Sequence, residues 1–270
     1  MFHSIRLAAI AALTAFTLLA SSAATAQSPV LNRVIKSGTL RVGMSANQPP
    51  LNVKGKSGQM LGLEVDLAKG LGYALGFEVE IVQRPFGQLL PALKKGQVDM
   101  VISGVDITAE RTKDFLFVGP YLLSGKSLVT TSKALAGAET VEDINQPDVT
   151  FVTLKNSTSA AFVKKNVPKA KLVGVDTYEE AIAKVIDGSA SAMIADLPAC
   201  VLAILRNPDA GLITLEEPLS VEPMGIAVSA KDERFYNLID NYIDAIEATG
   251  ILSALRTKWF EDDSWLKELP

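Results

Sequence analysis

GQVDMVISGVDITAERTKDFLFVGPY, Gly96 to Tyr121, places a strand, a polar turn and an arginine within one short run. The strand spans Val98 to Ser103, where Met100, Val101 and Ile102 give the continuous apolar run of a strand buried on both faces. Ser103 and Gly104 end it, and Gly104 lets backbone come close to a bound group. Thr108 is placed to cap a short helix carrying Arg111 in its first turn. Backbone N–H groups, the positive helix end and a guanidinium then converge where the strand stops. A carboxylate suits such a place, because arginine offers it two parallel, charge-assisted hydrogen bonds. The plainer alternative is a surface ion pair between Arg111 and Glu110 or Asp114.

On either side of this run, strand and helix patterns alternate, which predicts an α/β protein. Before it come a strand at Leu40 to Met44, a helix at Leu63 to Leu75 stopped by Gly76, a strand at Phe77 to Val82 and a helix at Gly87 to Lys95. After Tyr121 the pattern restarts. Strands are expected at Val149 to Thr153, Lys171 to Val175 and Ala192 to Ala195, with helices at Ser157 to Val167, Tyr178 to Ile186 and Leu197 to Leu205 between and after them. The tail from Phe235 to Phe260 is amphipathic and helical, broken at Gly250. Two α/β units without a flexible linker imply lobes joined by more than one crossing.

Composition narrows the chemistry. The first residues read as a cleaved secretory leader, residues 1–26, with Arg6, an apolar stretch from Leu7 to Ala20 and a small-residue site at Ala24-Thr25-Ala26. That stretch is shorter than the about 20 residues that span a bilayer. The single histidine, His3, falls inside the leader, so the mature chain is expected to hold none. Triads and metal sites that need histidine are thereby excluded, and no metal or cofactor is implied. The single cysteine, Cys200, lies in an apolar helical pattern that reads as packing. A formal charge of −4 gives no basic footprint for nucleic acid.

SGVDITAER (residues 103–111) followed by FVGPY (residues 117–121) closely resembles the SGxxITxER…F(S/T)xPY signature of the bacterial extracellular solute-binding proteins of family 3, the polar-amino-acid receptors of ABC importers. LRVG, GLEVDLAKGL, LLPALKKGQVDMVISG, MIADLPA, EPMGIAV and KWF match in order, so the resemblance covers nearly the whole mature chain. It implies two lobes on the type II periplasmic-binding plan. Residues 27–123 and 224–270 would form one lobe and 124–223 the other, with crossings near residues 122–127 and 222–226.

By the same resemblance Arg111 holds a ligand's α-carboxylate and Asp196 its α-ammonium. On local grounds alone Asp196 is a helix N-cap. Ser157 and Thr158 open a helix, where capping is the plain reading; the resemblance adds a hydroxyl, best assigned to Thr158, to the carboxylate site. The usual glycine there is Asn156. Phe86 supplies an apolar wall, and Ser103 and Gly104 the turn beside it. Three positions depart from the pattern: Ser45, where basic-amino-acid receptors tend to carry aspartate; Gln48, where an aromatic commonly stacks; and Asp106, in place of a common Ser or Thr. An Asp106 pointing inward would repel a carboxylate; it could instead present only its N–H, orient Arg111 or meet a cationic ligand group. Glu64 and Asp66, at the start of their helix, are explained by its dipole, and Trp259 by packing.

The expected function is periplasmic capture of a small amino acid by a monomer that delivers it to an ABC permease, without catalysis. An enzyme on the same fold, resembling the cyclohexadienyl dehydratases and using Asp106 as acid, is the alternative. A ligand-sensing partner of a signalling receptor is a third.

Overall fold

The computed structural model describes residues 28–215, 218–262 and 264–269. The expected leader, with His3, lies outside the described residues. The chain builds two five-stranded sheets on the same plan. The first contains β1 (Thr39–Met44), β5 (Glu78–Gln83), β6 (Met100–Val101), β7 (Phe115–Ser124) and β13 (Glu222–Ser229), in the order β5-β1-β6-β13-β7. The second contains β8 (Lys126–Thr130), β9 (Thr150–Leu154), β10 (Lys171–Val175), β11 (Ala192–Asp196) and β12 (Ile213–Thr214), in the order β10-β9-β11-β8-β12. In each sheet three strands pair in parallel, and a fourth, β13 in the first and β8 in the second, lies antiparallel between them and the edge strand, β7 or β12. A small antiparallel sheet of β2 (Asn47–Gln48), β3 (Asn52–Lys54) and β4 (Met60–Leu61) lies outside both and has no counterpart in the sequence reading.

The parallel core follows from residue choice. Val42, Met100, Val101, Phe151, Val152, Met193 and Ile194 are fully buried, as strands covered on both faces require. Helix Leu63–Leu75 presents Leu63, Leu67 and Leu71 to the first sheet, where Ile239, Ile243, Leu252 and Trp259 of the C-terminal helices join the same core. The tail expected from residue 235 forms two helices, Glu233–Ala248 and Ile251–Phe260, and Gly250 between them takes φ +75°. The chain leaves the first sheet at the end of β7, crosses at Gly125 and returns at β13. At that crossing Gly125 has no room for a side chain, since a Cβ would meet the Ser220 carbonyl oxygen at 2.0 Å.

Two expectations change. The strand read as Val98 to Ser103 pairs regularly only over Met100–Val101, because the chain turns at Ser103 and Gly104. The helix expected to carry Arg111 is three residues of 3-10 helix, Arg111–Lys113. So short a piece has no useful dipole, and its anion-binding capacity rests on the guanidinium.

Candidate functional site

The turn after β6 is held from beneath by a buried carboxylate. Glu64, wholly buried, accepts hydrogen bonds from the Gly104 N–H (2.6 Å), from Asn52 Nδ2 and from the Tyr121 hydroxyl. Burial raises its pKa, and these three donors oppose that rise. Sequence reasoning gave Glu64 to the helix dipole; its tertiary partners make it a positioning residue for the turn. Ser45 and Ser103 belong to the same scaffold. Ser103 Oγ accepts from the Ser45 N–H (2.9 Å) and donates to Ser45 Oγ (3.0 Å), and Ser45 Oγ donates to Asn52 Oδ1 (3.1 Å). Both serines are buried and tie the end of β1 to the end of β6.

Gly104 takes φ +59°, and a Cβ there would lie 2.8 Å from Gln48 Oε1. Gln48 is itself buried, and its Oε1 has no partner among the described residues. With Tyr178 and Asp196 it lines a cavity of about 10 Å³, roughly one water in size.

Arg111 makes neither of the surface pairs open to it, since Glu110 pairs with Lys113 and Asp114 with Lys94. Its N–H is bonded to Thr108 Oγ1 (3.2 Å), and its Nη1 donates to the Asp106 carbonyl oxygen (2.8 Å). Burial lowers its pKa, against the raising influence of Asp106, Asp196 and Glu222. The guanidinium borders a cavity of about 220 Å³ whose other walls include Phe86, Leu90 and Val105 from the first lobe and Asn156 from the second. Asn156 stands at φ +58°, the left-handed region in which asparagine substitutes best for glycine. Phe86 contributes an apolar side chain to the lining of that cavity.

Asp106 turns inward. Its Oδ2 accepts from Lys126 Nζ (3.0 Å) and from the Thr158 hydroxyl, a bond that joins the two lobes directly. Ser157 caps its helix, accepting from the Ala160 N–H (3.1 Å), and donates to the Leu154 carbonyl oxygen (2.7 Å). Asp196 occupies an N-cap position but makes no capping bond; its Oδ1 instead accepts from Lys126 Nζ at 2.6 Å. The third partner of that ammonium is Glu222, at 2.8 Å.

Lys126 is the residue the sequence reading missed. Its side chain is wholly buried, and its three N–H donors match three carboxylates drawn from the first lobe, the second lobe and the crossing strand. These carboxylates have oxygens within 4.8 Å of one another, a spacing that also suits a cation ligand set, and the ammonium sits on all three. Burial works against the charge of Lys126, but Asp196, Asp106 and Glu222 outweigh it and raise its pKa. For Asp106 burial and Asp196 prevail over Lys126 and Thr158, and its carboxyl is pushed up to about 7. Its other oxygen, Oδ1, is buried and has no hydrogen-bond partner among the described residues. Cys200 is buried beneath Asp196 with its thiol pKa well above the ordinary value through burial, in keeping with a packing role.

The profile of the bacterial extracellular solute-binding proteins, family 3, matches residues 40–262. Cyclohexadienyl dehydratase of Pseudomonas aeruginosa is 27% identical over 93% of this chain and 94% of its own. The L-cystine-binding protein TcyJ of Escherichia coli is 28% identical over 87% of each. Among solved structures, the ancestral amino acid-binding protein AncCDT-1, a precursor of cyclohexadienyl dehydratase, superposes with a TM-score of 0.78 at 33% identity. That match covers 85% of this chain and 99% of the ancestral one.

Proposed function

This chain belongs to the bacterial extracellular solute-binding proteins of family 3, and from that premise we propose that it is the periplasmic solute-binding component of an ABC importer. Its cleft closes over a small amino acid, or an acid of the same skeleton, and the closed monomer presents the solute to a permease. The observation that carries this reading is Arg111. Among the described residues its side chain makes one hydrogen bond, while the guanidinium borders an interlobe cavity with apolar walls. A carboxylate there would meet charge-assisted donors, and the rest of the solute would rest against Phe86. Thr158, from the other lobe, bonds the side chain of Asp106, whose carbonyl oxygen Arg111 holds, and a solute bound to both lobes would favour closure by its differential affinity for the closed form.

A thermal-shift panel of L-amino acids with their 2-oxo and 2-hydroxy counterparts tests this. A ligand at 100 times its dissociation constant adds about 2.7 kcal/mol to stability. No shift with any of these compounds would overturn the reading.

A second reading is an enzyme on the same fold. It is favoured by Asp106, a carboxyl buried in the cleft with its pKa near 7, the range suited to a general acid. Incubation with prephenate or arogenate separates the two, because the receptor leaves both intact.

A further inference from the structure

The two ends of the expected zwitterion clamp differ in what they already hold. At the carboxylate end, Arg111 has N–H groups to spare and a cavity beside it. At the ammonium end, Asp196 already carries an ammonium, that of Lys126. This lysine is fixed by its place at the start of β8, is wholly buried, and spends one N–H on each of Asp106, Asp196 and Glu222. It also occupies the centre of the carboxylate group on which any other cation would have to sit. A ligand ammonium reaching Asp196 would have to share that carboxylate with Lys126 and stand beside a like charge in a desolvated site, where repulsion is poorly screened.

We propose that Lys126 takes the place of a ligand ammonium, so that the cleft selects a carboxylic acid with a neutral α-substituent, a 2-oxo or 2-hydroxy acid, over the amino acid of the same skeleton. A neutral α-oxygen makes no demand on Asp196 and leaves its pair with Lys126 intact, whereas an α-ammonium would have to compete with Lys126 for that carboxylate. The near-neutral pKa of Asp106 agrees with this, since a protonated carboxyl does not repel an incoming anion. The inference rests on the reading of the Arg111 cleft as the solute site.

Titration calorimetry on the mature protein with matched sets tests it: pyruvate, lactate and alanine; 2-oxoglutarate, 2-hydroxyglutarate and glutamate; phenylpyruvate, phenyllactate and phenylalanine. In the set that binds, the oxo or hydroxy acid is expected to bind at least about tenfold more tightly than its amino acid, and Lys126→Gln to shrink that ratio about tenfold or reverse it. An amino acid that binds the wild type more tightly than its matched acids overturns the inference and leaves the solute-site reading standing. A ratio unchanged in Lys126→Gln does the same. Binding by no member of any set sinks both. If Lys126→Gln does not fold, the wild-type ratio alone decides.

Discussion

Replacing Lys126 with methionine keeps most of the side-chain volume and removes the charge, which isolates the electrostatic role of the ammonium. Its Nζ lies 3.0, 2.6 and 2.8 Å from Asp106, Asp196 and Glu222, and the side chain is wholly buried. Without it, three carboxylates remain with oxygens inside 4.8 Å of one another. At an effective dielectric near 20, each ionised pair at that separation repels by roughly 3.5 kcal/mol. Proton uptake caps the penalty, beginning with Asp106, whose carboxyl already titrates at about 7. Breaking a buried ion pair by removing one partner costs about 3–5 kcal/mol, and for a chain of this size that lowers Tm by roughly 6–20 °C.

The pH dependence has a definite sign. Without the cation, the apparent folded-state pKa values of the cluster rise above those of the unfolded chain, led by Asp106, whose carboxyl is already pushed up by burial. The deficit is therefore full at pH 8 and shrinks as pH falls through those raised values toward 5. Urea unfolding followed by tryptophan fluorescence at pH 8 and pH 5 measures both. A loss under about 1 kcal/mol at pH 8, or equal losses at the two pH values, would refute the assignment of Lys126 as the charge that holds this cluster together.

Three further outcomes follow from the same geometry. Asp106 has a folded pKa near 7, so its ionisation opposes an anionic ligand above that pH; affinity for an acid should weaken by up to about tenfold per unit above pH 7, and Asp106→Asn should flatten the profile in calorimetry from pH 6 to 8. Gly125→Ala would drive a Cβ to 2.0 Å from the Ser220 carbonyl oxygen at the crossing between sheets, and should lower unfolding stability by about 2 kcal/mol or more in denaturant titration. Asp99 is buried and accepts from Arg33, Arg41 and the Arg41 N–H, so Asp99→Ala should lower stability by about 3 kcal/mol in the same assay, the low end for a buried pair because both arginines are partly exposed.

The three parallel strands of each sheet were legible in the sequence because they are short apolar runs alternating with helical patterns, some of them stopped by glycines. Gly76 and Gly250 show this in their left-handed φ values of +71° and +75°. Arg111 was legible from its place after a strand and a Ser-Gly turn. Lys126 was not, because its partners lie 20, 70 and 96 residues away in sequence, and nothing local distinguishes it from a solvated lysine. The available signal was its position in Lys126–Thr130, a strand buried at every residue, where a lysine must find counter-charge. Glu64 was hidden for the opposite reason. A local cause, the helix dipole, sufficed to explain it, although its partners Asn52, Gly104 and Tyr121 come from elsewhere in the fold. The helix expected around Arg111 shrank to three residues because the chain must re-enter the sheet as β7 at Phe115.

The central claim is that the Arg111 guanidinium anchors the solute by its carboxylate. Calorimetric titration of wild type and Arg111→Ala with the tightest acid or amino acid found in the panel tests it most directly. Two charge-assisted hydrogen bonds at about 1.5–3 kcal/mol each predict a loss of affinity of roughly 100-fold or more. Affinity within about threefold of wild type, in a variant that unfolds at the wild-type temperature, would contradict the claim.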